Sequence, residues 1–472
     1  MSANTGVLTL DQARSLYRLG EDAVAELLVE LSGRVNALEQ RLSLNSGNSS
    51  KPPSSDGLKK PALKPMNTQS LRKKTGKKPG GQQGHPGSTL QPAEKPDVTV
   101  EHRPDTCEHC HGKLENSLVV GMSRRQVFDI PQPKVVVTEH QMMTVRCECC
   151  GKETQATAPA GADKSVQYGP NILGVATYLH VAHLLPCKRT AEIIRNLTGA
   201  SFSPGTLARA VRAADASLLS FDQRLTAALA TVPVKHVDET GVRVSGALHW
   251  FHTRSTKALC RVFHHVKRGG AAIADLLGYT GTLVSDFFAG YVSLPCTHVF
   301  CCAHVLRELR FVDEAVGQYW APMLFATLDR INDACHRARE RGLRKVPGFR
   351  QMVRDFDHWV KKGLEANSQS SKDPSLNKAR CLATRLSERR DDYLRFLHDL
   401  SLPFTNNLAE RDVRMSKVKQ KISGCFRTDA GADTFCRIRS YTATCQRQGM
   451  NLLECLRSVF AGQTLLPSLE PA

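Results

Sequence analysis

Two cysteine pairs have the spacing that is typical of metal binding. Cys107 and Cys110 form one CxxC pair, and Cys147 and Cys150 form a second pair after a β-like stretch. Two intervening residues let both sulfurs of a tight turn face one tetrahedral ion at about 2.3 Å. We therefore predict a zinc ribbon over 99–160 with these four thiolates as ligands. Because four protein ligands leave no open position, the zinc is expected to be structural.

The exact ligand set stays open at this point. Cys149 can replace either member of the second pair, and His109 and His111 lie beside the first pair. Redox-active cysteine pairs are the alternative chemistry, but the wide separation of the two pairs along the chain argues against it.

Three acidic residues form the second set with chemical potential. Asp238 lies inside a β-branched segment, and Asp286 ends the segment Leu283-Val-Ser-Asp286. An ionised aspartate in a central strand costs free energy unless it is paired or bound to metal, although a hydrogen-bonded structural role is the alternative for either residue alone. Glu410 follows much later, near the start of a helical pattern.

Carboxylates of this kind suggest the two-metal arrangement for in-line phosphoryl transfer. Mg²⁺ and Mn²⁺ prefer oxygen ligands. Two such ions held about 3.5–4 Å apart stabilise both the attacking and the leaving oxygen. We therefore predict that Asp238, Asp286 and Glu410 are catalytic residues and ligands of Mg²⁺ or Mn²⁺.

The helix that contains Glu410 is strongly basic. Its helical periodicity places the carboxylate at the head of a cationic face, which suits a metal ion held beside a phosphate backbone. A merely solvated charged face is the alternative. The residues predicted to contact DNA are Arg411, Arg414, Lys417, Lys421 and Arg427.

The elements that must position the aspartates have strand periodicity. The pattern predicts a helix over 271–277 between the third and fourth of five strands, which indicates a mixed α/β sheet. A helical stretch over 303–400 separates the first part of this core, 231–302, from its completing helices, 401–472. The expected strands are 234–244, 247–253, 259–263, 282–286 and 298–302.

Residues 165–230, ahead of the core, have a helical pattern. One helical unit covers 190–197, and Pro204 opens another after Ser203, a suitable N-cap. The pair is similar to a DNA-binding helix-turn-helix, and an ordinary helical hairpin is the equal alternative.

The first 98 residues predict a helix followed by a linker. In 1–45 an apolar heptad stripe predicts a short zipper-like coiled-coil helix that supports a homo-oligomer, at least a dimer, with packing on its own domain as the alternative. Residues 46–98 are rich in Asn, Ser, Gly, Pro and Lys, and we expect a disordered basic linker that can also neutralise phosphates. The stripe consists of Val24, Leu28, Leu31, Val35, Leu38 and Leu42.

Composition and charge favour a nucleic-acid partner. The 472 residues carry a net charge of +19, and an excess of this size indicates a polyanion such as DNA. No apolar run is long enough to span a membrane, and the N-terminus has no apolar signal core. We therefore expect no membrane partner and a cytoplasmic location, where the sixteen cysteines are reduced thiols or metal ligands.

Several motifs together resemble the insertion-sequence-66 family of bacterial transposases over nearly the whole chain. They are the zipper-like helix, the segment 45–56, the paired CxxC motifs, His236-Val-Asp238-Glu-Thr, Asn406-Asn-Leu-Ala-Glu410-Arg and Lys421-Ile-Ser-Gly424-Cys-Phe-Arg427.

This resemblance implies a multidomain α+β chain with a ribonuclease-H-like mixed α/β catalytic core of the DDE kind. The triad is then Asp238, Asp286 and Glu410, with a helical insertion between the last two. The implied activity is DNA transposition, in which element ends are cleaved and the 3′-hydroxyl is joined to target DNA. The implied setting is the bacterial nucleoid, with accessory proteins of the same element as further partners.

Two alternatives to this activity remain at the level of the sequence. One is a zinc-ribbon DNA-binding protein without catalysis, and the other is a nuclease on the same core without strand transfer. The loop after Asp238 is compact for the family, and His304 only roughly matches the family pattern. We expect His304 to be structural or to contact phosphate, not to act as a base.

Overall fold

The computed structural model describes residues 14–15, 17–43, 90–131 and 133–470. Most of the predicted linker, 46–89, lies outside the described residues. The helix α1 (Glu21–Ser43) contains the heptad stripe, and its Leu28 is 60% exposed. The coiled coil itself stays a prediction. None of the helices in the described ranges has the length and apolar character that crossing a membrane requires.

The region of the cysteine pairs contains little regular structure. The strands β1 (Thr144–Arg146) and β2 (Glu153–Gln155) pair antiparallel. The backbone between the two cysteine pairs is otherwise mostly extended, and apolar side chains such as Val120 and Val137 are largely exposed. The β-like character of this stretch therefore gives rise to strands only at the second pair, because its apolar residues have no packed surface to lie against.

Four helices lie between β2 and the central sheet, and they include the two that the sequence predicts. The turn between Cys187–Thr198 and Pro204–Ser217 contains Gly199, whose φ is +73°, and Ser203, whose hydroxyl accepts the N–H of Thr206. A π-helical turn, Tyr178–Ala182, follows the helix Pro170–Thr177. The helices are α2 (Pro170–Thr177), α3 (Cys187–Thr198), α4 (Pro204–Ser217) and α5 (Leu219–Ala230).

The central sheet has five strands, and each lies within two residues of its predicted bounds. Their spatial order is β5-β4-β3-β6-β7, with β3, β4 and β5 antiparallel and with β6 and β7 parallel to β3. The helix predicted over 271–277 is a 3₁₀-helix, Gly270–Leu276. The strands are β3 (Val234–Val244), β4 (Ala247–Ser255), β5 (Cys260–His265), β6 (Thr282–Ser285) and β7 (Thr297–Phe300).

Helices pack against this mixed α/β sheet in two large apolar cores. Val284 and Phe300 belong to an apolar core that the helices between β7 and Glu410 complete, and Phe251 and Val262 belong to a second core with helices from both ends of the unit. A π-helical turn, Val312–Val316, extends α7. The helices are α6 (Ala289–Val292), α7 (Cys302–Phe311), α8 (Trp320–Glu340), α9 (Phe349–Ala366), α10 (Pro374–Glu388), α11 (Arg390–His398), α12 (Asn407–Ser423), α13 (Asp429–Arg447) and α14 (Leu452–Phe460).

Candidate active site

Asp238 and Asp286 lie side by side because β3 and β6 run parallel. The register pairs His236 with Val284, so two residues further along both strands Asp238 is level with Asp286. The longer strand β3 continues through Asp238, whereas β6 ends at Ser285. Strand register alone therefore brings together two of the three predicted carboxylates.

Asn406 brings the third carboxylate to the same place. Its side-chain amide donates to the carbonyl oxygen of Val237 at 2.7 Å, and its Oδ1 lies 3.0 Å from Nδ1 of His236. Its backbone N–H donates to Sγ of Cys301, which follows β7, at 3.2 Å. One buried asparagine thus fixes the start of α12 to β3 and to the end of β7, and Glu410 follows one turn later.

The electrostatics of the cleft show that the three carboxylates act on one another. Burial raises the pKa of Asp238 well above its ordinary value. The negative charges of Glu239, Asp286 and Glu410 raise this pKa further. The backbone N–H of Glu239 donates to Oδ1 of Asp238 at 2.8 Å and offsets only part of the effect. Without a cation the cleft therefore carries more negative charge than it can stabilise.

The three predicted carboxylates do not surround a single ion position. Within the described ranges, Asp238, Asp286 and Glu410 do not form a group whose oxygens all lie within 4.8 Å of one another. Two ions of a phosphoryl-transfer site lie about 3.5–4 Å apart. The outer ligands of such a pair are therefore further apart than the ligands of a single ion.

Glu410 has close partners on the side of α7. Nε2 of His304 lies 3.3 Å from its Oε1, and the thiol of Cys301 donates to the same oxygen at 3.8 Å. Burial alone would raise the pKa of Glu410, but the hydrogen bond from His304 and the positive charges of Arg307 and Arg414 outweigh it and lower the pKa. His304 thus compensates the charge of Glu410 in the metal-free protein.

Glu239, the residue after Asp238, anchors an arginine at the mouth of the cleft. Its side chain is 1% exposed, accepts the Arg268 guanidinium at 2.8 Å and accepts the hydroxyl of Tyr291 at 2.6 Å. Burial and the charge of Asp286 raise the pKa of Glu239 in spite of these two donors. Arg268 also lies over the ring of Phe288, 4.2 Å from its centre.

Arg268 and Asp286 both line a polar cavity of about 250 Å³. Asp286, Cys301 and His304 line one part of it, and Arg385 lines another. Because cations and carboxylates share this wall, the cavity can accept an anionic group and a cation at the same time.

The donor set fits hard divalent ions. All three predicted ligands are carboxylates, the type of donor that Mg²⁺ and Mn²⁺ prefer. Oδ1 of Asp286 is buried without a hydrogen-bond partner among the described residues, and such an oxygen costs free energy unless a cation or a donor reaches it. Together with the raised pKa of Asp238, this unsatisfied oxygen indicates a place for a cation.

The cationic residues of α12 are not equivalent. Arg411, Arg414 and Lys421 are exposed, as is Arg427 after the helix. Lys417 is half-buried, and its ammonium donates to the carbonyl oxygen of Gly241 in β3. Burial lowers the pKa of Lys417. Four of the five predicted DNA contacts are therefore open to solvent, whereas the fifth holds α12 on the sheet.

The two cysteine pairs adopt the same local turn. The N–H of Cys107 donates to the carbonyl oxygen of Gly112 at 2.9 Å, and the N–H of Cys147 donates to that of Lys152 at 2.8 Å. The fifth residue of each turn has a positive φ, +55° at His111 and +68° at the equivalent glycine. The two turns therefore superpose residue by residue, with 107 equivalent to 147.

This equivalence indicates which cysteines of the second turn correspond to Cys107 and Cys110 of the first. Backbone N–H groups of Cys150 and Cys149 lower the pKa of Cys147, as those of Cys110 and His109 lower the pKa of the first cysteine. Cys149 thus occupies the position of His109, where the backbone faces the sulfur. In the described part of the chain, the two pairs do not gather their sulfurs within 4.8 Å, so each pair is formed but the two are not joined.

A mixed α/β unit with this cleft is matched by the model of a transposase family over residues 165–434, more than half of the chain. The class of protein is therefore a transposase. The matching family is the IS66 family of transposases, and the chain belongs to it. The zinc-finger domain of IS66 transposases matches 104–151, which contains both cysteine pairs and supports a structural zinc. A family of unknown function matches 13–91.

One curated relative is similar over most of its length. It is an uncharacterized protein from Sinorhizobium fredii, 23% identical over 410 residues that cover 78% of this chain and 72% of the relative.

Sequence reasoning missed the residues that hold the carboxylates in place. Asn406 and His236 lie in the motifs that carry the family resemblance, but the reason for their presence is visible only in the contacts between β3 and α12. Arg268 belongs to no motif, and its value to the cleft comes from the long-range pair with Glu239.

Proposed function

We propose that the chain is a DDE-type DNA transposase that cleaves the ends of its mobile element and joins the 3′-hydroxyl to target DNA. The observation that carries the proposal is the convergence of Asp238, Asp286 and Glu410 at one cleft. The strand order, with an antiparallel meander and two parallel strands beside its first strand, supports a ribonuclease-H-like core. The residues from α7 to α11 would be the insertion of that core.

In this proposal the three carboxylates hold two Mg²⁺ or Mn²⁺ ions. When bound, such a pair stabilises both the attacking and the leaving oxygen of an in-line displacement. Asp238 and Asp286 would share the ions, and Glu410 would hold the second one. His304, whose Nε2 contacts Oε1 of Glu410, would orient this carboxylate.

Cationic side chains around the cleft would position the DNA backbone. Arg411 and Arg414 are exposed one and four residues after Glu410, and Lys421 and Arg427 continue the basic surface. Arg268, fixed by Glu239, would bind a phosphate at the mouth of the cavity. We assign to Lys417 the positioning of α12, because its ammonium already donates to the carbonyl oxygen of Gly241.

The remaining parts would serve recognition and assembly. We propose that Cys107, Cys110, Cys147 and Cys150 hold the structural zinc, and that this region, α3 and α4 and the basic linker recognise the element ends. The stripe of α1, whose Leu28, Leu31 and Val35 are exposed, would join copies of the chain, because pairing of two ends needs at least a dimer. Accessory proteins of the same element would be further partners, and the location would be the cytoplasm, at the nucleoid.

A strand-transfer assay tests this proposal. Purified full-length chain is incubated with labelled element ends and plasmid, with and without Mg²⁺, and both nicking and covalent joining are measured. Asp238→Asn, Asp286→Asn and Glu410→Gln are expected to reduce both reactions at least about a hundredfold, because a lost metal ligand removes several kcal/mol of transition-state stabilisation. DNA binding of the three variants is expected to stay near that of the wild type.

The same assay separates the two alternatives. Nicking without joining would indicate a nuclease, and salt-sensitive binding without Mg²⁺-dependent nicking would indicate a DNA-binding protein that lacks catalysis. Asp399→Asn is the matched control, because this aspartate caps a turn through its contact with Ser401 and does not line the cavity. Full cleavage by all three cleft variants would refute the assigned triad.

A further inference from the structure

A second cluster of ligand-type side chains lies on the sheet, outside the carboxylate cleft. His249 of β4 and His264 of β5 have stacked rings, with centres 5.1 Å apart, and both are mostly buried. Asp429, the first residue of α13, reaches both rings from above the sheet and keeps 65% of its side chain exposed. One ligand atom from each of the three residues lies within 4.8 Å of the other two.

The separations between these atoms match those around one small ion. Nδ1 of His249 lies 2.8 Å from Nε2 of His264 and 3.3 Å from Oδ1 of Asp429. The third separation, from Nε2 of His264 to Oδ1 of Asp429, is 3.7 Å. A tetrahedral zinc with bonds of about 2.0–2.1 Å holds its ligand atoms about 3.3 Å apart. The observed values bracket this distance.

A fourth residue holds the second histidine in the orientation that metal binding requires. Nδ1 of His264 lies 3.0 Å from Oδ1 of Asp433, one turn after Asp429. A proton on Nδ1 that is donated to this carboxylate leaves the lone pair on Nε2, the atom that faces the other two ligands. Carboxylate–histidine pairs of this kind orient metal-ligating imidazoles and raise their basicity.

We propose that His249, His264 and Asp429 form a second metal site, with Asp433 as the positioning residue. Imidazole and carboxylate donors together favour a divalent ion of intermediate hardness. Zn²⁺ is such an ion, and it prefers tetrahedral coordination. Because Asp429 is largely exposed, the fourth position is open to water. The site differs from the cysteine region in its donors and from the carboxylate cleft in its nitrogen ligands.

The position of the site indicates a structural purpose. Asp429 begins α13 directly after the segment that joins α12 to α13, and this segment already contacts the turn after β3 through the N–H of Ser245 and the carbonyl oxygen of Phe426. An ion would add a bond from the same junction to β4 and β5. It would thus fix the end of the basic helix α12 against the sheet.

A cobalt titration of the full-length chain tests the proposal, with zinc supplied at one equivalent only, which the four thiolates bind first. One equivalent of Co²⁺ is expected to bind. Its visible absorption spectrum is expected to be typical of nitrogen and oxygen ligands, without a sulfur charge-transfer band. His264→Asn and Asp429→Asn are expected to weaken this binding at least tenfold, and Asp433→Asn is expected to weaken it about tenfold, since lost outer partners cost about 10–100-fold in metal affinity. An Asp238→Asn background, titrated in parallel, removes the carboxylate cleft as a source of the signal.

His265→Asn is the matched control, because His265 follows His264 on β5, points to the opposite face of the sheet and contacts Lys267 only locally. Its cobalt binding is expected to equal that of the wild type. If His264→Asn fails to fold, the exposed Asp429→Asn still decides the question. Absence of this cobalt signal, or a signal that Asp429→Asn leaves unchanged, would overturn the proposal.

Discussion

The carboxylate cleft and the region of the two cysteine pairs are both candidate metal sites, yet folding prepares them to different degrees. The carboxylates lie between two packed cores, and the buried Asn406 fixes one of their helices to the sheet. The cysteine pairs lie in exposed, mostly extended backbone, where only β1 and β2 are paired. Each cysteine turn is formed, but the two turns are not joined.

This difference assigns a different task to each metal. In the cleft, packing already holds like charges together, so the ions would relieve repulsion that the fold has created. Among the described residues of the cysteine region no apolar core holds the turns, so zinc would supply the cohesion itself. Structural zinc in small domains contributes about 10–16 kcal/mol of folding free energy, which is comparable to the stability of a whole domain.

The largest expected effect is therefore the loss of structure in the cysteine region when zinc is removed. We expect Cys110→Ser with Cys150→Ser to make residues 99–160 exchange their amide hydrogens as an unfolded chain does, because a loss of about 10 kcal/mol exceeds any local stability. Hydrogen exchange measured by mass spectrometry gives the result segment by segment. Strands β3 to β7 are expected to keep their protection.

Cys381→Ser is the matched control for this variant, because Cys381 is an exposed cysteine on α10. It is expected to leave exchange over 99–160 unchanged. Exchange that rises equally in the central sheet would contradict the comparison, because it would show that the two regions form a single cooperative unit.

The second effect concerns the fixation of the cleft by Asn406. We expect Asn406→Ala to reduce Mg²⁺-dependent cleavage about 10–100-fold, the range for partners that orient metal ligands, and to raise the Mg²⁺ concentration that gives half-maximal rate. The reason is that Glu410 loses the contacts from α12 to Val237 and His236.

Asn407→Ala is the control for the asparagine variant, because Asn407 is the next residue and is exposed. An unchanged Mg²⁺ requirement in Asn406→Ala, with a lower maximal rate, would show that the asparagine supports folding but does not position the carboxylate. The measurement is a Mg²⁺ titration of the initial nicking rate.

The sheet was the more predictable of the two regions. Alternating β-branched segments such as 234–244 determine strands through local periodicity, and the structure has all five within two residues of the expected bounds. The parallel pairing of β3 with β6 does not follow from either strand alone, because it depends on a crossover between residues that are distant in the chain. The level placement of Asp238 and Asp286 was thus visible only in the register.

The contacts that complete the cleft were beyond sequence reasoning for the same reason. Asn406 meets His236 across 170 positions, and Glu239 meets Arg268 across 29. No periodicity records such pairs. The helical face of Lys417 predicts a phosphate contact but does not show that the side chain reaches the carbonyl oxygen of Gly241, so the phosphate contact of Lys417 stays a prediction.

The third effect is a gain of stability when the charge of Asp238 is removed. We expect Asp238→Asn to raise the free energy of unfolding of the metal-free protein at pH 7 by on the order of 1 kcal/mol, while cleavage is lost. Burial and the charges of three neighbouring carboxylates raise the pKa of Asp238. At neutral pH the folded protein therefore either keeps a destabilised aspartate anion or binds a proton there, and both cost free energy.

The pH dependence gives the sign of this effect. Between the ordinary aspartate pKa of about 4 and the raised pKa in the folded protein, the folded state binds more protons than the unfolded state. The wild type therefore loses stability relative to Asp238→Asn as pH rises through this window. Thermal unfolding in EDTA at several pH values measures the difference, and a constant difference across the window would contradict the raised pKa.

The smallest expected effect distinguishes the exposed arginines of α12 from the half-buried Lys417. We expect Arg411→Ala and Arg414→Ala each to weaken DNA binding by on the order of 1 kcal/mol and to lower the slope of log affinity against log salt by about one. Lys417→Met is expected to leave this slope unchanged, because its ammonium donates to the carbonyl oxygen of Gly241. It is expected instead to lower thermal stability, since that carbonyl loses its donor.

Fluorescence anisotropy over a series of salt concentrations measures the slope. A slope that falls equally in all three variants would mean that Lys417 leaves the sheet to bind phosphate, and that α12 is held on β3 by Asn406 and its other contacts instead.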